Sequence, residues 1–443
     1  MRVGAVPVAL AGLAVALVPT GGREVRPLPL VGVDASAKPA LAFVWRKDEG
    51  TRIARIDLRR LRPTKVRSAA LGNLWTWAFD PSKRTLIVAG HDDPYGVWGT
   101  TIKFVRVRDL RVLPQKIKIA DWLVAAFLWT RADRIVALAV PTCCGSSGFA
   151  VLSIDPETRR VVEVSRFEGY GNYVGRTHDS LVVLQTPWHA IGTASLLIVR
   201  DDATYASVRL DRVTAGSTGF DESNDAISTV RNPAVAIDPA ADHAYVIQPD
   251  GPAADVDLQK LTATYHDLRA SASALARLSS WLTPSAEAKG WRGPSRYGVW
   301  LGDGLIALTG SDWSSVAAPD GVDLARQPFG AGVVDTRDWT LQMIDRDANA
   351  ITVADGLLLT TGETWPAGAR DPVAHGVAAY HSDRSLAFRV FPNRQAYVWL
   401  AVAGRAYVYV AGREKLAVVD LRTGRVIGAR SAVLPTPLVG DGS

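Results

Sequence analysis

WAFDPSKRTLIVAG, residues Trp77–Gly90, is an extended apolar run, a tight polar turn at Asp80-Pro81-Ser82-Lys83, and a second run rich in β-branched residues. Such a pattern folds as a β-hairpin, because alternating side chains bury one face and the polar residues close the turn. The same arrangement recurs as VGVDASAKPALAFV (31–44), LWTRADRIVALAV (128–140), YVGRTHDSLVVLQ (173–185) and VAIDPAADHAYVI (235–247). It returns as VWLGDGLIALTG (299–310), ITVADGLLLTTG (351–362) and YVWLAVAGRAYVYV (397–410). The turn aspartates Asp34, Asp80, Asp133, Asp179, Asp238, Asp303 and Asp355 are spaced 46 to 65 residues apart, and the eighth turn falls at Gly404. A period of that length marks a repeat array.

Each hairpin is followed by a second one, as in VRVRDLRVL (105–113), VLSIDPETRRVVEV (151–164) and LAVVDLRTGRVIG (416–428). Four short strands about every fifty residues make a propeller blade, and one such sheet buries its two faces only by stacking on neighbours around an axis. The expected fold is therefore all-β: a β-propeller of four-stranded antiparallel blades, eight in number, with seven as the rival count. Units such as VVDLRTGRV (418–426) resemble the YVTN-type and quinoprotein-like propeller repeats, and they lack the Trp-Asp dipeptide of WD-repeat proteins. The resemblance implies an exported bacterial propeller.

Three segments depart from the repeat. Asp211–Asn232, with AGSTGFDESNDAIS, reads as a polar link between blades 4 and 5 with no core of its own. In 267–282, Leu268, Ala272, Leu275, Leu278 and Leu282 follow helical spacing between Asp267 and Pro284, which predicts a short inserted helix. The tail SAVLPTPLVGDGS is placed to add a closing strand to blade 1 or to hang loose.

Met1-Arg2, the apolar run Val3–Val18 and the small residues after it read as a signal peptide over 1–22, removed or kept as an anchor, ahead of one propeller domain over 23–443. At 16 residues the run is short for a spanning helix. The expected setting is extracytoplasmic, secreted or in the cell envelope, with the protein a monomer. Net charge is +6, but residues 1–120 carry +12 and the remainder −6. The excess sits in the outer strands of blades 1 and 2, at Arg52, Arg55, Arg59, Arg60 and Lys103 among others. It offers weak contact with an anionic surface, or simply a solvated blade edge that resists edge-to-edge pairing. Nucleic acid is not an expected partner of an exported chain.

In a propeller, the connections between second and third strands share a face with the links between blades, at the mouth of the central channel. Here they are aromatic: His91 and Trp98 in blade 2, Trp188 and His189 in blade 4, Trp313 in blade 6, Trp365 and His375 in blade 7. Large rings with a polar edge suit stacking on a ligand or burial at an interface, and they also pack between blades. Cys143-Cys144 are adjacent and are the chain's two cysteines. They form a redox switch or the floor of a planar-ligand site, or else a vicinal disulfide or thiol pair that stiffens a loop.

The pair resembles the vicinal cystines of pyrroloquinoline-quinone alcohol dehydrogenases, which are also eight-bladed, although the repeats lack that family's tryptophan-docking pattern. Pyrroloquinoline quinone and Ca²⁺ enter the expectation through that resemblance alone. Asp345-Arg346-Asp347-Ala348-Asn349 starts like a calcium loop, but Ala350 and Gly356 stand where glycine and a bidentate glutamate are needed. No metal or cofactor is otherwise predicted, and the motifs of hydrolases, zinc proteases and phosphate loops are missing. The reading is a binding or scaffold module for a protein or an envelope glycan. The alternative is a propeller enzyme, an oxidoreductase or hydrolase with its site at the channel mouth.

Overall fold

A computed structural model of the chain describes residues 26–30, 40–46, 50–91, 99–142, 148–218, 228–270, 291–318, 321–431 and 434–438. Within them lie eight four-stranded antiparallel blades, which settles the count against seven. The hairpin at Trp77–Gly90 forms as expected, between strands Asn73–Phe79 and Thr85–His91. The Asp80 carboxylate accepts from the Thr85 amide at 2.9 Å and from the Ser82 hydroxyl at 2.6 Å. Asp303-Gly304, Asp355-Gly356 and Ala403-Gly404 hold positive φ at both positions, the twist a two-residue hairpin requires.

Strand alternation sends successive side chains to opposite faces, so every blade feeds two cores. Leu86 and Val88 join the core shared by blades 1 and 2, whereas Ile87 and Ala89 join that of blades 2 and 3. Eight such cores fill the eight gaps between neighbours, including blade 8 against blade 1, where Tyr407 and Leu416 meet Ile56 and Leu61. The ring is closed by the C-terminal tail. Thr436–Pro437 pairs with Ala40–Arg46 as the innermost strand of blade 1, and Leu438 is buried beside it. The first strand that the repeat predicts within 31–39 lies outside the described residues.

Two expectations are corrected. The link after blade 4 has a core on its near side: the outer strand of that blade runs on as Tyr205–Ser217, with Val213 and Ala215 fully buried, while residues 219–227 lie outside the described residues. Ser228–Arg231 then pairs with that strand and, in parallel, with Trp291–Gly302 of blade 6. The helix expected over 267–282 is not what its described residues form. Arg269–Ala270 is a short strand parallel to the outer strand of blade 6, and Leu268 packs into the core of blades 5 and 6. Leu268 is thus apolar to fill an inter-blade gap rather than to mark one face of a helix. The remainder of that segment lies outside the described residues, among which there is no helix.

Three basic residues of blades 1 and 2 bond to backbone carbonyls. Arg55 donates to the Val107 carbonyl of blade 2, Lys103 to the Leu71 carbonyl, and Arg52 to that of Ser68. On the face of the first- and third-hairpin turns, residues 26–30 cross blades 6 and 7. Arg26 pairs with Asp335, and the Leu28 amide donates to the Ser382 carbonyl.

Candidate functional site at the mouth of blades 6 to 8

The second strand of blade 7, Leu357–Thr364, runs LLLTTGET and is buried nearly throughout. A glutamate near its end is out of keeping with that environment, because an unpaired buried charge is costly. Glu363 is 4% exposed and is met from both sides. Arg326 of blade 6 forms an ion pair with Oε1. From blade 8, the Tyr397 hydroxyl donates to Oε2 at 2.5 Å and the Gln395 amide at 2.9 Å. The Trp365 side chain is a further donor. Arg326, Tyr397 and Gln395 thus fill three of the roughly four lone-pair positions of the carboxylate.

Burial pushes the Glu363 pKa up, but hydrogen bonds from Tyr397 and Trp365, the Arg326 charge and Gln395 outweigh it, leaving the value below the ordinary 4.5. Tyr397 moves the other way. Burial, then its bond to Glu363, pushes it up to about 12, so it stays a donor. One carboxylate thereby pins three consecutive blades at the channel mouth.

The backbone makes this convergence possible. The second strand of blade 6 continues to Ala318 and returns as Gly321–Pro328, a hairpin arm standing on the mouth face. Arg326 and Trp365 exchange two backbone hydrogen bonds, of 2.9 and 2.8 Å, tying the arm's base to blade 7. Trp313 lies opposite Arg326 on the arm, and the guanidinium sits 5.3 Å from its ring centroid. Gly362 precedes Glu363 because a Cβ there would fall 1.7 Å from the Asp347 carbonyl oxygen. Gly90 and Gly310 stand in the equivalent strands of blades 2 and 6, where a Cβ would lie 2.0 and 2.1 Å from the carbonyls of Asn73 and Ser295.

Two of the predicted residues therefore meet, Trp313 and Trp365 at Arg326, and His375 contacts Thr364, the neighbour of Glu363 in the chain. His375 Nε2 lies 3.3 Å from Thr364 Oγ1, and its Nδ1 lies 3.9 Å from Asp347. Trp188 and His189 form a separate group with Tyr170 in blade 4, at ring separations of 4.2 to 6.2 Å. His91 packs edge-on against Trp75 in blade 2, at 4.5 Å. Among the described residues, the ring contacts stay within each group. Trp98, Cys143 and Cys144 lie outside the described residues. Other tryptophans do what propeller packing demands, Trp129 and Trp339 being buried in inter-blade cores.

Sequence reasoning missed Glu363, Arg326 and a second buried ion pair. Arg296, on the innermost strand of blade 6, has 1% of its side chain exposed and lies 2.7 Å from Asp312, with Phe329 4.1 Å beneath its guanidinium. The available signal was a charge inside an otherwise strand-like run, in TTGETW and PSRYGVW. The calcium-like stretch is committed elsewhere. Asp345 accepts from the Thr360 hydroxyl at 2.6 Å and from the Asp347 amide. Among the described residues, no group of three or more His, Cys, Asp or Glu side chains is placed to hold a metal ion.

No protein-family model matches the chain, and no curated protein matches it in sequence. Solved structures do. It is similar to the dihydro-heme d1 dehydrogenase NirN at 12% identity and a TM-score of 0.48, over 96% of this chain and 78% of that one. It is similar to Porphyromonas gingivalis dipeptidyl peptidase 4 at 9% identity and a TM-score of 0.45, over 90% of this chain and 60% of that one. BamB from Moraxella catarrhalis gives 9% identity and a TM-score of 0.36, over 91% and 89%. Likeness at this level assigns no activity or partner to the chain.

Proposed function

We propose that the protein is an extracytoplasmic binding module that engages a protein or envelope-glycan partner on its mouth face. The observation that carries the reading is the convergence of Trp313 and Trp365 at Arg326, beside the Glu363 pin. Rings set beside an ion pair that joins blades 6 and 7 form a preorganised surface, and preorganisation lowers the cost of ordering side chains on binding. The extracytoplasmic setting rests on the signal-like segment 1–22. The enzyme alternative rests on Cys143 and Cys144, outside the described residues.

The test is affinity capture from the envelope fraction of the source cell, comparing the unsubstituted chain with Trp313→Ala, Trp365→Ala and the pair together. Specific captured material should fall about tenfold or more on losing an anchoring ring, while thermal stability changes little. Capture indifferent to both substitutions would overturn the assignment of this face.

A further inference from the structure

Both faces of every blade pack against neighbours, so a side chain left exposed on an innermost strand opens onto the central axis or one of its ends. Such strands here break register repeatedly. Trp75 is the extra residue of a bulge in Asn73–Phe79, lying between the pairs Leu74↔Gly90 and Thr76↔Ala89. Trp399 is the extra residue in Ala396–Val402, between Val398↔Val408 and Leu400↔Tyr407. Bulges re-aim side chains. In blades 3 and 4 the residue so placed, Ala125 or Val174, packs against an inter-blade core. In blades 2 and 8 it is a tryptophan left 39% and 62% exposed. Tyr297, on the innermost strand of blade 6, is 60% exposed.

The remaining lining is as informative. Among the described residues of the innermost strands, the one exposed charge is Arg131, at the turn end of its strand. The other exposed positions of these strands hold those three rings, the amide of Asn172, the hydroxyl of Thr436 and the small apolar side chains of Val299 and Ala350. The half-buried charges of these strands, Arg176 and Asp238, lie like Arg131 at the turn ends, which leaves the described mouthward exposed positions uncharged. Trp75 is also oriented. Its Nε1 donates to the Val124 carbonyl on the innermost strand of blade 3, at 2.7 Å, and His91 packs against its ring.

We infer that the channel mouth binds a neutral oligosaccharide, with Trp75, Tyr297 and Trp399 stacking on the C–H faces of successive sugars and Asn172 and Thr436 meeting hydroxyls. The inference rests on the binding-module reading and narrows it to one ligand class. An uncharged wall of rings and short polar groups matches the alternating apolar faces and hydroxyl edges of a sugar chain. An ionic ligand would lose its hydration there with no opposite charge to replace it.

The experiment is titration calorimetry of the full chain with maltohexaose, cellohexaose and chitohexaose, with hexagalacturonate as the charged control. At least one neutral hexasaccharide should bind and hexagalacturonate should not. Trp399→Ala should weaken binding about tenfold or more, with the ligand-free unfolding midpoint unmoved, and Trp399→Phe should retain most of the affinity. The inference is overturned if no neutral hexasaccharide binds the folded protein, if binding is indifferent to both Trp399→Ala and Trp75→Ala, or if the charged control binds more tightly. Partner capture that still depends on Trp313 with no hexasaccharide binding sinks this inference and leaves the broader reading standing. Hexasaccharide binding with capture indifferent to Trp313 and Trp365 does the reverse.

Discussion

Replacing Glu363 with alanine deletes the acceptor shared by Arg326, Tyr397, Gln395 and Trp365 and leaves Arg326 without its counter-charge. Breaking a buried ion pair from one side costs about 3–5 kcal/mol. Arg326 keeps 21% of its side chain exposed, so the low end applies, about 3 kcal/mol. An unfolding entropy of about 2.1 cal/mol/K per residue over the 356 described residues gives about 0.75 kcal/mol/K, so the midpoint should fall by about 4 °C. Glu363→Gln keeps the shape but not the charge and should cost about 2 kcal/mol. Arg326→Met combined with Glu363→Met should recover part of the loss, because no orphaned charge remains. The assay is calorimetry of the four proteins.

The same pair gives a pH signature with a definite sign. The folded-state pKa of Glu363 lies below its ordinary 4.5. Its contribution is therefore fully present above the unfolded value and is lost as pH falls through the folded value. The stability gap between the unsubstituted protein and Glu363→Gln should be constant above about pH 5.5 and shrink below about pH 4.5. A gap that widens toward acid, or a Glu363→Ala cost under about 0.5 kcal/mol, the range of an ordinary surface substitution, would refute the pin.

Two further outcomes follow from backbone geometry. Gly362→Ala places a methyl group against the Asp347 carbonyl and should cost about 1–3 kcal/mol or more, whereas Gly428→Ala, which meets nothing within 4 Å, should be close to neutral; chemical denaturation of the two reads the difference. Truncation after residue 433 removes the closing strand, buried Leu438 and Leu434 packed against the core of blades 8 and 1, and should cost at least about 3–5 kcal/mol from Leu438 and two or three backbone hydrogen bonds alone. Hydrogen exchange should then show Ala40–Arg46 losing protection before any strand of blade 4.

The repeat was legible because its cause is local. A turn aspartate followed by alternating apolar residues specifies a hairpin wherever it occurs, and eight copies specify a ring, since no single blade buries both faces. Asp303-Gly304 and Asp355-Gly356 carried their turn type in two letters. Even the glycines closing IVAG, ALTG and LLTTG were visible as a pattern, although the reason is a carbonyl oxygen from a preceding inter-blade link or innermost strand. The tail's role in blade 1 could be named as an option because a closed ring needs an innermost strand from somewhere.

The mouth was only half legible. Composition placed rings on one face, but whether Trp365 meets Trp313 or Trp188 depends on an arm that leans from blade 6 onto blade 7. Leu268 showed the limit from the other side: apolar spacing fits a helix face and an inter-blade gap equally well. By itself the sequence determined the strands, their turns and the ring, all set by contacts between residues close in the chain. Tertiary structure decided which charges are buried together, because Arg326, Glu363 and Tyr397 belong to three different blades. It also decided which bulged residues leave the core, because at the same one-residue bulge Ala125 and Val174 pack between blades whereas Trp75 and Trp399 stay exposed.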